Sequence, residues 1–303
     1  MAPPPGLARA PLGDGVTLPY YVSAPAGAPV QDILIAVQGY TRDANRTYDA
    51  AAAAARNAGR AASTLIVAPI FEVPAPESKK CEFRGVPGPA PDDALWHCDT
   101  WSKGAPAEDA GPTSFQAMDR LIADLHAAYP AAQRITLAGF SAGGQFVQHY
   151  VGFAAAAPAG TSLRYVVADP SEFVYFDAFR PVRHKAASCL AYDDWRYGTA
   201  SLPDWLGRDA ARARAVYAAA DLHYLEGAAD TGHRRGAAYK LLAHGCGAEL
   251  EGRYRLQRGE NYAAYDQAML AHGAHTLTLV PGCAHSVTCV FEAPAARAAL
   301  FGN

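Results

Sequence analysis

Short runs of β-branched and other apolar residues alternate along this chain with longer stretches whose apolar positions recur at helical spacing. This alternation predicts parallel strands joined by crossover helices, which is the α/β class. The predicted strands cover residues 31–37, 64–68, 134–138, 163–168, 222–226 and 276–280. The predicted helices cover residues 44–59 and 114–129, a segment whose apolar spacing begins at Gln145, and residues 293–301. A further strand at 16–22 contains Pro19, which lacks an amide donor and therefore favours the edge of the sheet.

Two long stretches do not fit the alternation. Residues 69–112 are dense in proline and glycine, while residues 171–220 are rich in aromatic and charged side chains. We therefore expect one domain over residues 1–303, with both stretches as excursions from the rim of the sheet and the second resembling a lid. Aromatic residues of the second excursion are candidates for the walls of a site: Tyr175, Phe176, Trp195, Tyr197 and Trp205. Alternatively, they pack a small core of the excursion itself.

The sequence Gly139-Phe140-Ser141-Ala142-Gly143 lies between a predicted strand and a predicted helix. A strand that turns sharply into a helix at a G-x-S-x-G sequence exposes the serine hydroxyl above the sheet, and the glycines leave room for the strained turn. The helix N-terminus behind the serine favours negative charge, which suits an oxyanion forming beside it. Ser141 is therefore the candidate nucleophile.

A nucleophilic serine needs a base that accepts its proton. Of the ten histidines, His285 follows the last predicted strand in a loop, and no histidine lies beyond it. In the chain order serine, acid, histidine the base comes last, so His285 is the predicted base. His272 and His275 flank the preceding strand and fit a surface or structural role.

The base needs a carboxylate that orients it. Asp230 leads because it stands in a turn after the strand at 222–226, at the carboxyl edge of the predicted sheet, where ligands bind open α/β sheets. Asp169 follows the strand at 163–168 and is the rival. Asp221 and Glu226 are further alternatives, which better suit capping or solvent contact.

Two backbone amides are predicted to form an oxyanion hole. One belongs to Ala142, and the other to Tyr40, which follows Gly39 in the turn after the strand at 31–37. Alternatively, Gly39 only turns the chain. Together these groups predict acyl transfer by a serine enzyme, with no cofactor and no metal.

Composition and charge exclude several other classes. Half of the 303 residues are hydrophobic and 18% are charged, so the chain can bury a full core. A net charge of −3 and a pI near 6.4 provide no general basic field for nucleic acid or anionic membrane. No apolar run approaches the roughly 20 residues that span a bilayer. We expect no nucleic-acid partner and no membrane partner.

Six cysteines, mostly in predicted loops, indicate an oxidising compartment. The first residues have neither the basic nor the apolar segment of a leader, so we interpret the chain as a mature secreted or periplasmic protein. Proximity in sequence favours three pairs: Cys81 with Cys98, Cys283 with Cys289, and by remainder Cys189 with Cys246. The alternative is six reduced thiols in a cytosolic enzyme.

Through the sequence Gly139-Phe140-Ser141-Ala142-Gly143-Gly144, the chain resembles serine-dependent α/β-hydrolases. Within them it is similar to secreted bacterial polymer depolymerases of the poly(aspartic acid) hydrolase and polyhydroxybutyrate depolymerase type. The resemblance covers the chain from about residue 31 to the C-terminus. It implies the α/β-hydrolase fold and hydrolysis of ester or amide bonds in a polymeric or oligomeric substrate. Gln38-Gly39 stands where such depolymerases often have His-Gly, which leaves the substrate class open, and we expect no appended polymer-binding module.

Basic residues concentrate near the predicted site, with Arg42 just after Tyr40 and a cluster in the second excursion: Arg180, Arg183, His184, Lys185 and Arg196. Guanidinium groups bind carboxylates bidentately, so a polyanionic substrate is predicted, with poly(aspartic acid) as the specific hypothesis. The predicted substrate-binding residues are Arg42, Tyr175, Arg180, Lys185, Trp195 and Arg196. Alternatively, residues 180–185 form an ordinary solvated loop.

Other functions remain open at this stage. The substrate could be a polyhydroxyalkanoate or a small carboxylic ester, or the chain could be a non-catalytic binding protein on a hydrolase scaffold. A zinc hydrolase using His97, Cys98 and Asp99, or Cys283 and His285, is a weaker rival, because no H-E-x-x-H sequence is present.

Overall fold

One sheet of eight strands organises the chain. The computed structural model describes residues 6–23, 29–182, 188–233 and 236–302. The strands are β1 (Gly6–Gly13), β2 (Val16–Ser23), β3 (Asp32–Val37), β4 (Thr64–Pro69), β5 (Arg134–Phe140), β6 (Ser162–Ala168), β7 (Asp221–Gly227) and β8 (Thr276–Val280). They lie in the order β1-β2-β4-β3-β5-β6-β7-β8. β3 to β8 pair in parallel, and β1 and β2 are antiparallel additions at one side.

Helices cover both faces of the sheet. They are α1 (Ala44–Asn57), α2 (Ala75–Ser78), α3 (Ser114–Ala128), α4 (Ala142–Val151), α5 (Ala210–Ala218), α6 (Cys246–Glu251), α7 (Arg255–Met269), α8 (Val287–Glu292) and α9 (Arg297–Phe301). Side chains alternate along each strand, so β3 directs Ile33 and Ile35 toward the layer of α3, α4 and α7, and Leu34 toward that of α1, α8 and α9. The central parallel strands are buried on both faces, which explains their continuous apolar sequences.

The strand at 16–22 was predicted at the edge of the sheet, but it is the second strand from that edge. β2 pairs with β4 on one side and with β1 on the other, so the edge strand is β1, which the hydrophobic pattern did not reveal. Pro19 fits inside the sheet because its carbonyl accepts the N–H of Ile70 at 2.8 Å while no donor is required of it.

All three predicted cysteine pairs are confirmed as disulfides. They join Cys81 to Cys98 in the first excursion, Cys189 to Cys246 between the second excursion and α6, and Cys283 to Cys289 across the loop between β8 and α8. Within the part of the chain that the structure describes, no helix combines the length and the apolar character that crossing a membrane requires.

Candidate active site

The turn between β5 and α4 presents Ser141 in a strained backbone conformation, with φ 60° and ψ −120°. Such a conformation costs about 1–3 kcal/mol and persists only where the surroundings impose it. Here the Ser141 N–H donates to the carbonyl oxygen of Ala168 at the end of β6, at 2.9 Å. Close backbone packing also holds the turn, and it leaves no room for a side chain at the glycines. A Cβ on Gly143 would stand 2.6 Å from the carbonyl oxygen of Gln38, and one on Gly139 would stand 2.7 Å from the nitrogen of Gly144. The helix starts at Ala142, three residues before the predicted position.

Three side chains that are far apart in sequence meet above this turn. The Nε2 of His285 lies 2.9 Å from the Oγ of Ser141, and its Nδ1 lies 2.7 Å from the Oδ2 of Asp230. Asp230 follows β7 in a tight turn, where its N–H donates to the Gly227 carbonyl at 2.9 Å. His285 is held in the loop after β8, which the Cys283–Cys289 disulfide closes. The parallel sheet thus brings three strand ends to one rim, as their positions in the sequence predicted.

The surroundings of His285 favour its neutral form. Its side chain is only 7% exposed, and burial is the main cause that lowers its pKa. The hydrogen bond to Asp230 opposes this shift, while the Arg255 guanidinium supports it. The ring also packs on Phe140, with 4.7 Å between ring centroids. A neutral imidazole at neutral pH is the form that can accept a proton from Ser141.

The two amides predicted for the oxyanion hole lie beside the serine. Ala142 is the first residue of α4, so its N–H has no acceptor within the helix. Tyr40 lines both cavities that Ser141 lines. Its turn is fixed because the Gly39 N–H donates to Asp43 Oδ1 at 2.7 Å and the Arg42 N–H donates to the Gly39 carbonyl at 3.0 Å.

Two cavities meet at Ser141. The polar cavity, of about 150 Å³, is lined by Ser102 and Gln145 and by two acid–base pairs, Asp99 with Lys103 and Glu172 with Arg196. The apolar cavity, of about 270 Å³, is lined by Phe83, Phe140 and Val287, with Arg46 at its wall. Residues of both sequence excursions therefore reach the serine, together with α4.

Lys103 and Arg196 bring two positive charges to the polar cavity, and Asp99 and Glu172 bring two negative charges. Arg196 forms an ion pair with Glu172, whose carboxylate also accepts a hydrogen bond from Gln145 Nε2 at 2.7 Å. Lys103 has a weaker partner, because its Nζ lies 3.7 Å from a carboxylate oxygen of Asp99. Burial lowers the pKa of Lys103, and the Arg196 charge lowers it further. The Lys103 ammonium is thus the cation of this cavity that a bound anion would stabilise most.

Sequence reasoning did not identify Lys103, Gln145 or Glu172. Lys103 ends a short 3₁₀ turn, Trp101–Lys103, in the proline-rich excursion, and no motif marks it. Of the predicted substrate-binding residues, Arg196 lines a cavity at the serine, as stated above. Lys185 lies outside the described residues, as do its neighbours Arg183 and His184.

The predictions that Arg42, Tyr175 and Arg180 contact substrate were wrong, because all three side chains are buried among protein partners. Arg42 forms a buried ion pair with Glu72. Arg180 donates to several backbone carbonyls and lies over the Tyr175 ring, 4.4 Å from its centroid. Trp195 lines neither cavity; its indole N–H donates to the Lys103 carbonyl at 3.1 Å, and so it supports the cavity from behind.

The remaining wall candidates divide in the same way. Phe176 is buried, Tyr197 packs on the Arg196 guanidinium, and Trp205 is exposed on the surface. Tyr175 and Phe176 belong to the main core of the domain, where Tyr175 packs on Tyr262 and Tyr265 of α7, so they form no separate core of the excursion.

The rival acid, Asp169, is also close to the imidazole. One oxygen each of Asp169 and Asp230 and one ring nitrogen of His285 lie within 4.8 Å of one another, a spacing that could also hold a metal ion. The two ring nitrogens of His285 already form hydrogen bonds with Asp230 and Ser141, an arrangement that suits proton transfer better than metal binding. The zinc ligands considered above are not present as thiolates, because Cys98 and Cys283 are in disulfides.

Solved structures with a similar fold include two bacterial hydrolases. Poly(aspartic acid) hydrolase-1 from Sphingomonas sp. KT-1 is 22% identical, with 99% of this chain and 100% of that chain covered and a TM-score of 0.69. LpqC, a poly(3-hydroxybutyrate) depolymerase from Bordetella parapertussis, is 19% identical, with 96% and 89% covered and a TM-score of 0.60. No family model and no curated protein sequence matches the chain. At these identities the similarity establishes architecture, and the chain has the α/β-hydrolase fold.

Proposed function

We propose that this protein is a serine hydrolase that cleaves ester or amide bonds through an acyl-enzyme. The observation that carries the proposal is the continuous hydrogen-bonded chain from Ser141 through His285 to Asp230, with distances of 2.9 and 2.7 Å, at the meeting point of two cavities. These are the distances that activation of a serine by a base requires.

In the proposed mechanism, Ser141 Oγ attacks the substrate carbonyl while His285 Nε2 takes its proton. Asp230 stays ionised and stabilises the imidazolium, and the amides of Tyr40 and Ala142 stabilise the oxyanion. The imidazolium then protonates the leaving group, which departs and leaves an ester on Ser141. A water molecule, deprotonated by the same imidazole, releases the acyl group and restores the serine.

We further propose that the substrate carries carboxylates, as poly(aspartic acid) does. Lys103 supports this, because its ammonium lies in the cavity beside the nucleophile and its nearest carboxylate oxygen, on Asp99, is 3.7 Å away; the charge of Arg196 is already matched by Glu172. Poly(aspartic acid) is also the substrate named for one of the structural neighbours. A neutral polyester is the second candidate, and the apolar cavity with Phe83 and Val287 favours it. We also propose that the protein works in an oxidising compartment, which three disulfides support.

The reaction class is tested with Ser141→Ala and a short p-nitrophenyl ester. We expect a burst of p-nitrophenol from the wild-type protein as the acyl-enzyme forms, and no turnover from the correctly folded variant. Absence of both burst and turnover in the wild type would favour a non-catalytic binding protein, and full activity of the variant would exclude Ser141 as nucleophile.

The substrate class is tested with Lys103→Met on poly(aspartic acid), polyhydroxybutyrate and the neutral ester. A charged hydrogen bond contributes about 1.5–3 kcal/mol, so kcat/KM on poly(aspartic acid) should fall about 10- to 100-fold while turnover of the neutral ester is unchanged. The matched control is Lys80→Met, which removes the same charge from a side chain that is 66% exposed. Equal losses on charged and neutral substrates would contradict the carboxylate hypothesis.

A further inference from the structure

Asp169 is a buried carboxylate beside His285 that the proposed mechanism does not use. It is fully buried, and one of its oxygens belongs to the group that lies within 4.8 Å of Asp230 and His285. Its Oδ1 accepts the N–H of Gly227 at 2.8 Å, and its carboxyl also shares a hydrogen bond with the buried carboxyl of Glu226. The feature of Asp169 that needs explaining is therefore its closeness to His285, within 4.8 Å, and not an unmet hydrogen bond.

The backbone fixes Asp169 relative to the nucleophile. The residue before it, Ala168, accepts the N–H of Ser141, and the N–H of Asp169 itself donates to the Leu225 carbonyl on β7 at 3.1 Å. Its φ of 44° lies in the left-handed region, which these bonds maintain. Asp169 and Ser141 are therefore held on opposite sides of one short hydrogen-bonded link, and both strand ends lie close to the imidazole of His285.

The charges around Asp169 fit a reserve carboxylate. Asp169, Glu226 and Asp230 share the field of the buried Arg255 guanidinium. Burial raises the pKa of Glu226 well above its usual range, so this carboxyl is neutral. Burial also raises the pKa of Asp169 to about 7, and the charge of Asp230 is the second cause. Loss of Asp230 removes that second cause, and Asp169 then ionises more readily beside the imidazole.

We propose that Asp169 is a second acid of this site, a positioning residue that orients His285 and stabilises its imidazolium when Asp230 is absent. This inference rests on the proposed hydrolase function. Asp169 acts through His285, so its loss should affect the transition state and not substrate binding.

The test is a double-mutant cycle with Asp169→Asn and Asp230→Ala, measured as kcat and KM on the p-nitrophenyl ester. Asparagine keeps the oxygen that accepts the Gly227 N–H, and the fold is checked by circular dichroism. Removing the only orienting acid of a serine triad costs about 10⁴-fold in kcat, so with a reserve acid we expect Asp230→Ala to cost only about 10²-fold. Asp169→Asn should cost less than about 10-fold alone and about 10²-fold more in the Asp230→Ala background, with KM unchanged throughout.

Two results overturn the proposal. If Asp169 only pins the Gly227 turn, its substitution costs the same factor in both backgrounds. If Asp230→Ala is as inactive as His285→Ala, no reserve acid operates, and this comparison decides the matter even where the double variant does not fold. Ser141→Ala separates the two proposals: an active Ser141→Ala protein refutes the serine mechanism, whereas an inactive one with an additive cycle refutes only the role of Asp169.

Discussion

Gly144→Ala tests whether backbone contact between α4 and β6 holds the nucleophile in place. A Cβ at this position would overlap the carbonyl oxygen of Ala168 and stand 3.1 Å from its nitrogen. These are backbone atoms of β6, which cannot rotate away as a flexible side chain could. The same Ala168 oxygen accepts the N–H of Ser141, so any displacement of the strand is passed directly to the nucleophile.

The expected change in the free energy of unfolding of Gly144→Ala follows from three effects. Forcing a methyl group into a packed interior costs about 1–3 kcal/mol. Loss of the hydrogen bond between Ser141 and Ala168 costs about 1 kcal/mol more, while replacing glycine by alanine inside a helix returns about 1 kcal/mol. The net loss is about 2 kcal/mol, which corresponds to a fall in Tm of about 3 °C for a chain of this size. A displaced Ser141 should also lower kcat by up to about 10²-fold.

The assay combines thermal unfolding by circular dichroism with turnover of the p-nitrophenyl ester. Gly88→Ala is the matched control, because a Cβ there meets no atom within 4 Å. We expect the Gly88 variant to behave as the wild type. The reasoning is refuted if Gly144→Ala matches Gly88→Ala in both Tm and kcat, since the backbone would then yield freely.

Two further predictions concern the loop that carries the base. Because burial lowers the pKa of His285, kcat/KM should fall only below pH 6.5, as the ring takes up a proton; a pH–rate profile whose acid limb lies above that value contradicts this. Removal of the disulfide between Cys189 and Cys246, 57 residues apart, should cost about 4 kcal/mol of unfolding free energy, against about 2 kcal/mol for Cys283 and Cys289, 6 residues apart. Removal of the Cys283–Cys289 disulfide should nevertheless reduce kcat more, because it frees the His285 loop. Urea unfolding and kcat are measured on the two double alanine variants, and a larger loss of kcat without the Cys189–Cys246 disulfide would contradict this prediction.

Features that depend on local sequence were predictable. The central strands, the turn at Ser141 and the order of its partners follow from apolar runs, glycines and strand ends, and the structure places them accordingly. The cysteine pairs followed from proximity along the chain. The α/β class needed no knowledge of distant contacts, because each strand and helix carries its own hydrophobic pattern.

The arginine predictions failed because the sequence does not show what an arginine contacts. Arg42 and Arg180 lie in polar loop sequences that resemble a solvated surface, yet their partners come from other parts of the fold. Glu72 lies 30 residues beyond Arg42, and the carbonyl of Tyr192 lies 12 residues beyond Arg180. Both guanidinium groups are buried against these partners, so they are not exposed to a substrate carboxylate.

The hydrophobic pattern also failed to predict α7 (Arg255–Met269), because buried charged residues replace apolar ones in its sequence. An amphipathic helix is recognised by an apolar buried face, but the buried positions of α7 include Arg255, Arg258 and Gly259. Gly259 is required because a side chain there would overlap the carboxyl group of Glu226. Arg255 supplies the positive charge that stands 3.8 Å from Asp230. The inner face of α7 provides the counter-charge for a buried acid cluster, so this helix cannot show the apolar pattern by which helices are predicted. The hydrophobic pattern thus missed a helix whose charge stabilises that cluster.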